Sequence, residues 1–128
     1  GVGAGSRFKL VHNLILGLNR AALAEGLNLA EALGFDAQRA LEILKQTPAN
    51  SGVMETKGLK MAVRNYEPPQ ARLAQHHKDV RLILELAAKV EAKTPLSAAH
   101  RELLARAEKL GFASADNAAI IEAYRGKE

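Results

Sequence analysis

RFKLVHNLILGLNRAALAEGLNLAEAL, residues 7–33, holds no proline, follows a glycine-rich start and stops at Gly34, the residue type that most often ends a helix. The spacing predicts one long helix, on the order of 40 Å at 1.5 Å per residue, longer than a domain of this size needs for its own core. Phe8, Leu10, Val11, Leu14, Ile15, Leu16 and Leu18 surround its axis instead of forming one stripe, which predicts burial on several sides. Gly17 and Gly26 weaken a helix by about 1 kcal/mol each relative to alanine, so each is expected where a neighbouring backbone comes close. Glu25 and Glu31 lie on the same mostly apolar helix and are expected to make structural hydrogen bonds, not to act as catalytic acids.

Working outward, Asp36 is placed to cap a second helix through Leu44 to about Gln46, which the Thr47-Pro48 step ends. The Asn50-Ser51-Gly52 loop reads equally well as a simple turn or as the border of a site. Short helical segments are predicted from Val53 to Asn65, and Glu67-Pro68-Pro69 then breaks the chain before a second long helix over about 71–92. Thr94-Pro95 starts another helix that ends at Gly111, and Ser114 or Asp116 caps a last one through Tyr124. The expectation is an all-α fold, a bundle of six to seven helices with two long helices (about 7–33 and 71–92), forming one domain over residues 1–128.

The composition agrees: 128 residues, 48% hydrophobic, 25% charged and only 4% aromatic, with alanine and leucine in place of strand formers. The absence of cysteine excludes disulfides, thiolate zinc sites and cysteine nucleophiles, and a reducing, cytoplasmic setting is expected. Asn13, Asn19, Arg20, Glu25, Asn28 and Glu31 interrupt the apolar run from Leu10 to Leu33, so it is not read as a bilayer span, and no signal-peptide pattern precedes it. The net charge of +4 is scattered and not gathered into a basic run, which argues against nucleic acid and for mild attraction of small anions. Gly1-Val2-Gly3-Ala4-Gly5 opens directly onto a helix without an initiator methionine, as expected of a fragment.

Chemical interest concentrates in Gly3 to Asn13. Glycines where a helix begins expose backbone amides that suit an anion such as a carboxylate. Lys9 and Asn13 are four residues apart, one helical turn, so an ammonium and an amide share a face and can converge on one small ligand. For Lys9 to move a proton near neutral pH, its surroundings must lower a pKa that ordinarily lies at about 10.4, and a mostly apolar helix is one source of that desolvation. The spacing alone favours a lysine that merely decorates the first turn, an ordinary polar Asn13 and glycines that are a tag remnant or linker. The nucleotide fingerprint GxGxxG is absent. His76 and His77 are expected on the polar face of their helix and His100 in an exposed segment, with no metal site implied.

The string GxGxxxKLxHN, filled by Gly3, Gly5, Lys9, Leu10, His12 and Asn13, is followed by Ala24-Glu25-Gly26-Leu27-Asn28-Leu29-Ala30 and Leu33-Gly34-Phe35-Asp36. With His77-Lys78-Asp79-Val80-Arg81-Leu82 further on, it resembles the C-terminal helical domain of the 3-hydroxyisobutyrate dehydrogenase (β-hydroxyacid dehydrogenase) family, related to 6-phosphogluconate dehydrogenase. That resemblance implies an oxidoreductase using NAD or NADP, bound mainly by an N-terminal Rossmann domain, which acts on a small hydroxyacid and assembles as a homo-oligomer. It implies Lys9 as the proton-transfer residue, Asn13 and the Gly3 and Gly5 backbone as substrate contacts, Lys78 toward the cofactor and Asp79 positioning its helix. His12 resembles the histidine of the 6-phosphogluconate enzymes at that place, though the chain is too short for their larger helical domain. Ala71 stands where the family often carries an aromatic residue, seven positions before the motif lysine. A fragment without the Rossmann half is expected to be inactive. The competing reading is a non-catalytic helical dimerisation module.

Overall fold

In the computed structural model, which describes residues 3–125, the glycine-rich start runs directly into helix α1 (Ala4–Ala32). Gly1 and Val2 of that start, like residues 126–128, lie outside the described residues. Helix α1 is 29 residues long, about 43 Å at the standard rise. It ends as the sequence predicts: Gly34 adopts φ 94°, its N–H donates to Glu31 O at 3.0 Å, and Phe35 N–H donates to Ala30 O at 2.9 Å. This pair of bonds satisfies carbonyls that a helix end leaves without partners.

Asp36 caps α2 (Ala37–Leu44) by accepting from Arg39 N at 3.0 Å. One helix, α3 (Gly52–Val63), replaces the short segments expected there, and Arg64 ends it in the left-handed region. The second long helix, α4 (Leu73–Lys89), is shorter at both ends than the 71–92 read from the sequence. Its start is delayed because Ala71 and Arg72 are extended against the chain near Asp116, where Arg72 and Asp116 form one antiparallel bridge. Helix α5 (Pro95–Ala107) begins on its proline and continues into a π-helical turn over Glu108–Phe112, where Gly111 takes φ 103°. Asp116 then caps a 3-10 turn over Asn117–Ile121, accepting from Ala118 N at 2.9 Å, and α6 (Glu122–Arg125) follows. Six α-helices and no strand make up the described residues, an all-α bundle.

The core gathers Leu27 of α1, Met61 of α3, Leu73 of α4, Leu104 of α5 and Ile120 and Ile121 of the 3-10 turn, all fully buried. Only the C-terminal half of α1 joins it, through Ala21, Leu23, Ala24 and Leu27. The expectation of burial on several sides therefore fails for the N-terminal half, where Phe8, Val11 and Ile15 are exposed. The reason is length: the other helices are too short to cover a rod of 29 residues. The two helix glycines also differ from expectation. A Cβ on Gly17 would sit 2.8 Å from His76 Cε1 and 3.0 Å from His100 Cε1, so side chains, not a backbone, require that glycine. Gly26 is exposed, with nothing within 4 Å of a Cβ placed there.

Two polar locks close the bundle. Arg125 pairs with Glu31 at 2.8 Å and Glu122 at 3.0 Å and donates to Met61 O at 3.2 Å, while the Tyr66 hydroxyl donates to Glu122. Glu31 thus has the structural role expected of it, whereas Glu25 is exposed beside Tyr124. The second lock is deeper. Asp116, 0% exposed, accepts from Lys57 Nζ with both oxygens at 3.0 Å, from Gln70 N at 2.8 Å, Ala71 N at 3.3 Å and Ala118 N at 2.9 Å. Burial alone would raise the Asp116 carboxyl, but the bonds from Ala118, Lys57 and Gln70 outweigh it and hold it below its ordinary value. Removing one partner of such a pair leaves the other charge buried and uncompensated. Asp116→Ala is therefore expected to destabilise the domain by about 3–5 kcal/mol, read as a drop in the urea midpoint; an unchanged midpoint would show that Asp116 does not hold the fold.

Candidate functional site

Asp116 also decides where α4 begins. Asp116 N donates to Tyr66 O at 3.0 Å, Asn117 N to Ala71 O at 2.8 Å, Leu73 N to Ala115 O at 2.9 Å and Ala74 N to Ala113 O at 2.9 Å. These bonds lay the first turn of α4 beside α1. A cleft of about 170 Å³ opens there, lined by Asn13, Leu16 and Arg20 of α1, Ala71, Arg72, Gln75, His76 and Asp79 around the start of α4, and Asn117.

Asn13 from the first motif and Asp79 from the second thus meet in one cleft, although 66 positions separate them in the chain. Asn13 is half-buried and its Oδ1 accepts from His12 Nδ1 at 3.1 Å, which gives His12 an orienting contact on the amide. Asp79 accepts from Gln75 Nε2 at 3.4 Å across one turn of α4. Lys9 and Lys78 belong to the same two helices but stand exposed, outside the lining of the cleft. The desolvation expected of Lys9 is therefore not supplied by this domain, because Lys9 is exposed while α4 meets α1 at Leu10, Asn13 and Leu14. Gly3 is the N-cap of α1 and offers no side-chain cap, and Gly5 is exposed with open space around it, so the first-turn amides face outward. Ser51 lines a separate groove with Asn19, Gly26 and Met54, away from the Asn13 cleft, so the Asn50-Ser51-Gly52 loop does not line that cleft.

The floor of the cleft holds residues that a reading by motif passes over. Arg20 is 4% exposed, yet its Nε and Nη1 have no hydrogen-bond partner. His76 Nε2 and Asn117 Oδ1 are likewise buried without partners. A signal for Arg20 existed in the sequence: positions 9, 13, 16 and 20 follow the spacing of one helix face, so an arginine inside an apolar helix shares the face of Lys9 and Asn13.

The histidines correct the sequence expectation, since His76, His77 and His100 are all buried. His76 and His100 lie with ring centroids 5.2 Å apart against Gly17, and His77 Nδ1 meets Glu108 Oε1 at 2.6 Å. The reason is that α4 turns this face toward α1 and α5 instead of toward water. No group of three or more metal-binding side chains occurs among the described residues. Burial first, then the neighbouring Arg20 charge, pushes His76 down to about 3 and His100 to about 4.

Both rings are thus neutral in the folded chain at neutral pH, whereas an unfolded histidine titrates near 6.5. The unfolded state binds more protons as pH falls below about 6.5, so the stability from these groups is complete above that value and declines between about 6.5 and 3. At pH 5 the loss amounts to about 2 kcal/mol per histidine. Urea midpoints measured at pH 7.5 and pH 5 should differ accordingly, and by less in His76→Gln; equal midpoints would mean that the rings are not buried neutral.

Residues 3–124 match the family described as the NAD-binding of NADP-dependent 3-hydroxyisobutyrate dehydrogenase. The chain is 36% identical over 124 residues to glyoxylate/succinic semialdehyde reductase 2, chloroplastic, of Arabidopsis thaliana, covering 97% of this chain and 34% of that protein. It is 34% identical over 119 residues to the cytokine-like nuclear factor N-PAC of Aedes aegypti, covering 93% of this chain and 21% of that one. Among solved structures, the 3-hydroxyisobutyrate dehydrogenase of Salmonella typhimurium superposes with a TM-score of 0.89 at 26% identity, over 94% of this chain and 42% of that one. The Mycobacterium tuberculosis 3-hydroxyisobutyrate dehydrogenase with L-serine does so with a TM-score of 0.85 at 26% identity, over 97% and 44%. The chain spans less than half the length of each of these proteins. With the matched region covering nearly all of it, the chain belongs to the NAD-binding domain family of NADP-dependent 3-hydroxyisobutyrate dehydrogenase.

Proposed function

We propose that the chain is the substrate-binding and catalytic domain of an NAD(P)-dependent oxidoreductase that interconverts a small hydroxyacid and its oxo or semialdehyde form, with Lys9 as proton donor and acceptor. The observation that carries this reading is the meeting of Asn13 and Asp79, one from each family motif, in a single cleft between α1 and α4. The names of the relatives, a glyoxylate/succinic semialdehyde reductase and 3-hydroxyisobutyrate dehydrogenases, support the substrate class.

A nicotinamide bound beside this domain would supply the hydride transfer that interconverts the alcohol and the carbonyl. The described residues contain no strand-to-helix glycine turn, so they fit one side of such a cofactor and not its pyrophosphate. Lys78, exposed near the cleft on α4, is the residue of this chain assigned to that side. Neutral Lys9 Nζ accepts the hydroxyl proton during oxidation, and its ammonium returns one to the carbonyl oxygen during reduction. Asn13 orients the reacting oxygen through its amide, and the Gly3 and Gly5 backbone lies against the substrate. Lys9 is exposed here, so its desolvation depends on a nucleotide-binding domain closing over the bare N-terminal half of α1. In the chain joined to that domain, Lys9→Ala is expected to lower turnover by about 10²–10⁴-fold while leaving NAD(P) binding intact; turnover near wild type would end the assignment. The chain by itself should be silent toward hydroxyacids with added NAD(P).

A second reading is a helical association module without chemistry. It is favoured by Phe8, Val11 and Ile15, which leave one flank of α1 apolar and exposed, and by relatives named as nuclear factors. The same face serves a homo-oligomer in either reading. Light scattering should report self-association that Ile15→Glu abolishes and Lys9→Ala does not; a monomer in all three samples would reject it.

A further inference from the structure

The floor of the cleft is more polar, and more deprived of partners, than Lys9 and Asn13 require. Asn13, Leu16 and Arg20 sit at steps of three and four along α1, and helical side chains lean toward the N-terminus. The Arg20 guanidinium therefore lies below Asn13 on the same wall. It is 96% removed from solvent by its 4% exposure, and its Nε and Nη1 find no acceptor. Asn117, also 4% exposed, leaves its Oδ1 without a donor in the same lining. Burying an unpaired cation is unfavourable by several kcal/mol in general. The Asp116 charge favours the Arg20 cation but makes no hydrogen bond to it, because its oxygens already take Lys57 and the amides of Gln70, Ala71 and Ala118.

The charges around the floor leave room for an anion. Lys57 is neutralised by Asp116, and His76 and His100 are held neutral by burial and by Arg20. Asp79 is the one carboxylate lining the cleft, and Arg72 at its rim offsets that charge. Arg20 then remains as the buried cation whose Nε and Nη1 lack an acceptor. Ala71 contributes only a methyl group, so the space beside it stays open. A cleft of about 170 Å³ has room for about five waters or the tail of a small acid.

We propose that this cleft receives a second anionic group of the substrate, a carboxylate or a phosphate, on the Arg20 guanidinium. The preferred ligand is a hydroxyacid anionic at both ends, its second anion on Arg20 and beside Asn117. A bidentate guanidinium contact gives such a group both charge and direction. The proposal deepens the function given above, on which it rests only for the end of the ligand that faces Lys9.

The test is binding, not turnover. The isotope-labelled chain is titrated with 3-hydroxyglutarate, 3-hydroxybutyrate and inorganic phosphate while the Arg20 Nε–H and Asn117 side-chain amide resonances are followed by NMR. The dianion is expected to bind at least ~10-fold more tightly than the monoanion and to move both signals. Phosphate that displaces it from Arg20 points to a phosphorylated substrate, and phosphate that leaves Arg20 unmoved points to a dicarboxylate. Arg20→Gln should remove the preference for the dianion. Ala71→Phe, which fills the cleft from the exposed side, should do so with Arg20 in place, so the result does not hinge on one variant folding. Equal binding of the two acids, or a preference that survives both substitutions, overturns the proposal. Lys9→Ala should keep the preference, so loss of the catalytic assignment and loss of the anion site are read separately.

Discussion

The Lys57–Asp116 pair is the constraint on which the arrangement of the molecule depends. One fully buried carboxylate takes the ammonium of α3, two backbone amides of the segment before α4 and the second amide of the C-terminal 3-10 turn. A buried charge is tolerable only when its oxygens are satisfied. Asp116 consequently has no freedom to sit elsewhere, and three segments distant in sequence share one anchor. The start of α4 follows from it, and with that start the side of α4 that meets α1.

From that placement comes the cleft. Asn13 and Asp79 become neighbours because the start of α4 is laid along α1 at the height of its third to fifth turns. The tight packing of His76 and His100 on Gly17 keeps that approach close, since any side chain at position 17 would push the helices apart. The cleft floor thereby inherits Arg20, His76 and Asn117, three buried polar groups with unpaired atoms. Such groups are rare in stable cores and concentrate where a protein binds something. Lys9 and Arg20 lie on one face of α1, Lys9 exposed and Arg20 buried.

The overhang of α1 has a similar logic. A helix of 29 residues cannot be buried by partners of 8 to 17, so its N-terminal half leaves Phe8, Val11 and Ile15 bare. An apolar flank of that kind is expected where another domain or another copy docks. The same exposure that serves docking leaves Lys9 solvated within this chain.

The sequence by itself determined the helices and their ends, because those depend on neighbours in the chain: Gly34 in the left-handed region, Asp36 and Asp116 as caps, Pro95 in a first turn. It also determined the family, through the spacing of Gly3, Gly5, Lys9 and Asn13 and the Lys78-Asp79 pair, since short motifs survive as local strings. Only the tertiary structure decided what those elements enclose. The burial of His76, His77 and His100, the exposure of Lys9, the merging of the 53–65 segments into α3 and the late start of α4 all depend on which faces meet. Lys57 and Asp116 are 59 positions apart, and nothing in the chain between them announces that an ammonium and a carboxylate will share a site closed to water. Burial is a property of the packed bundle, so the Arg20 floor of the cleft was present in the sequence as spacing and took shape only when α4 closed over it.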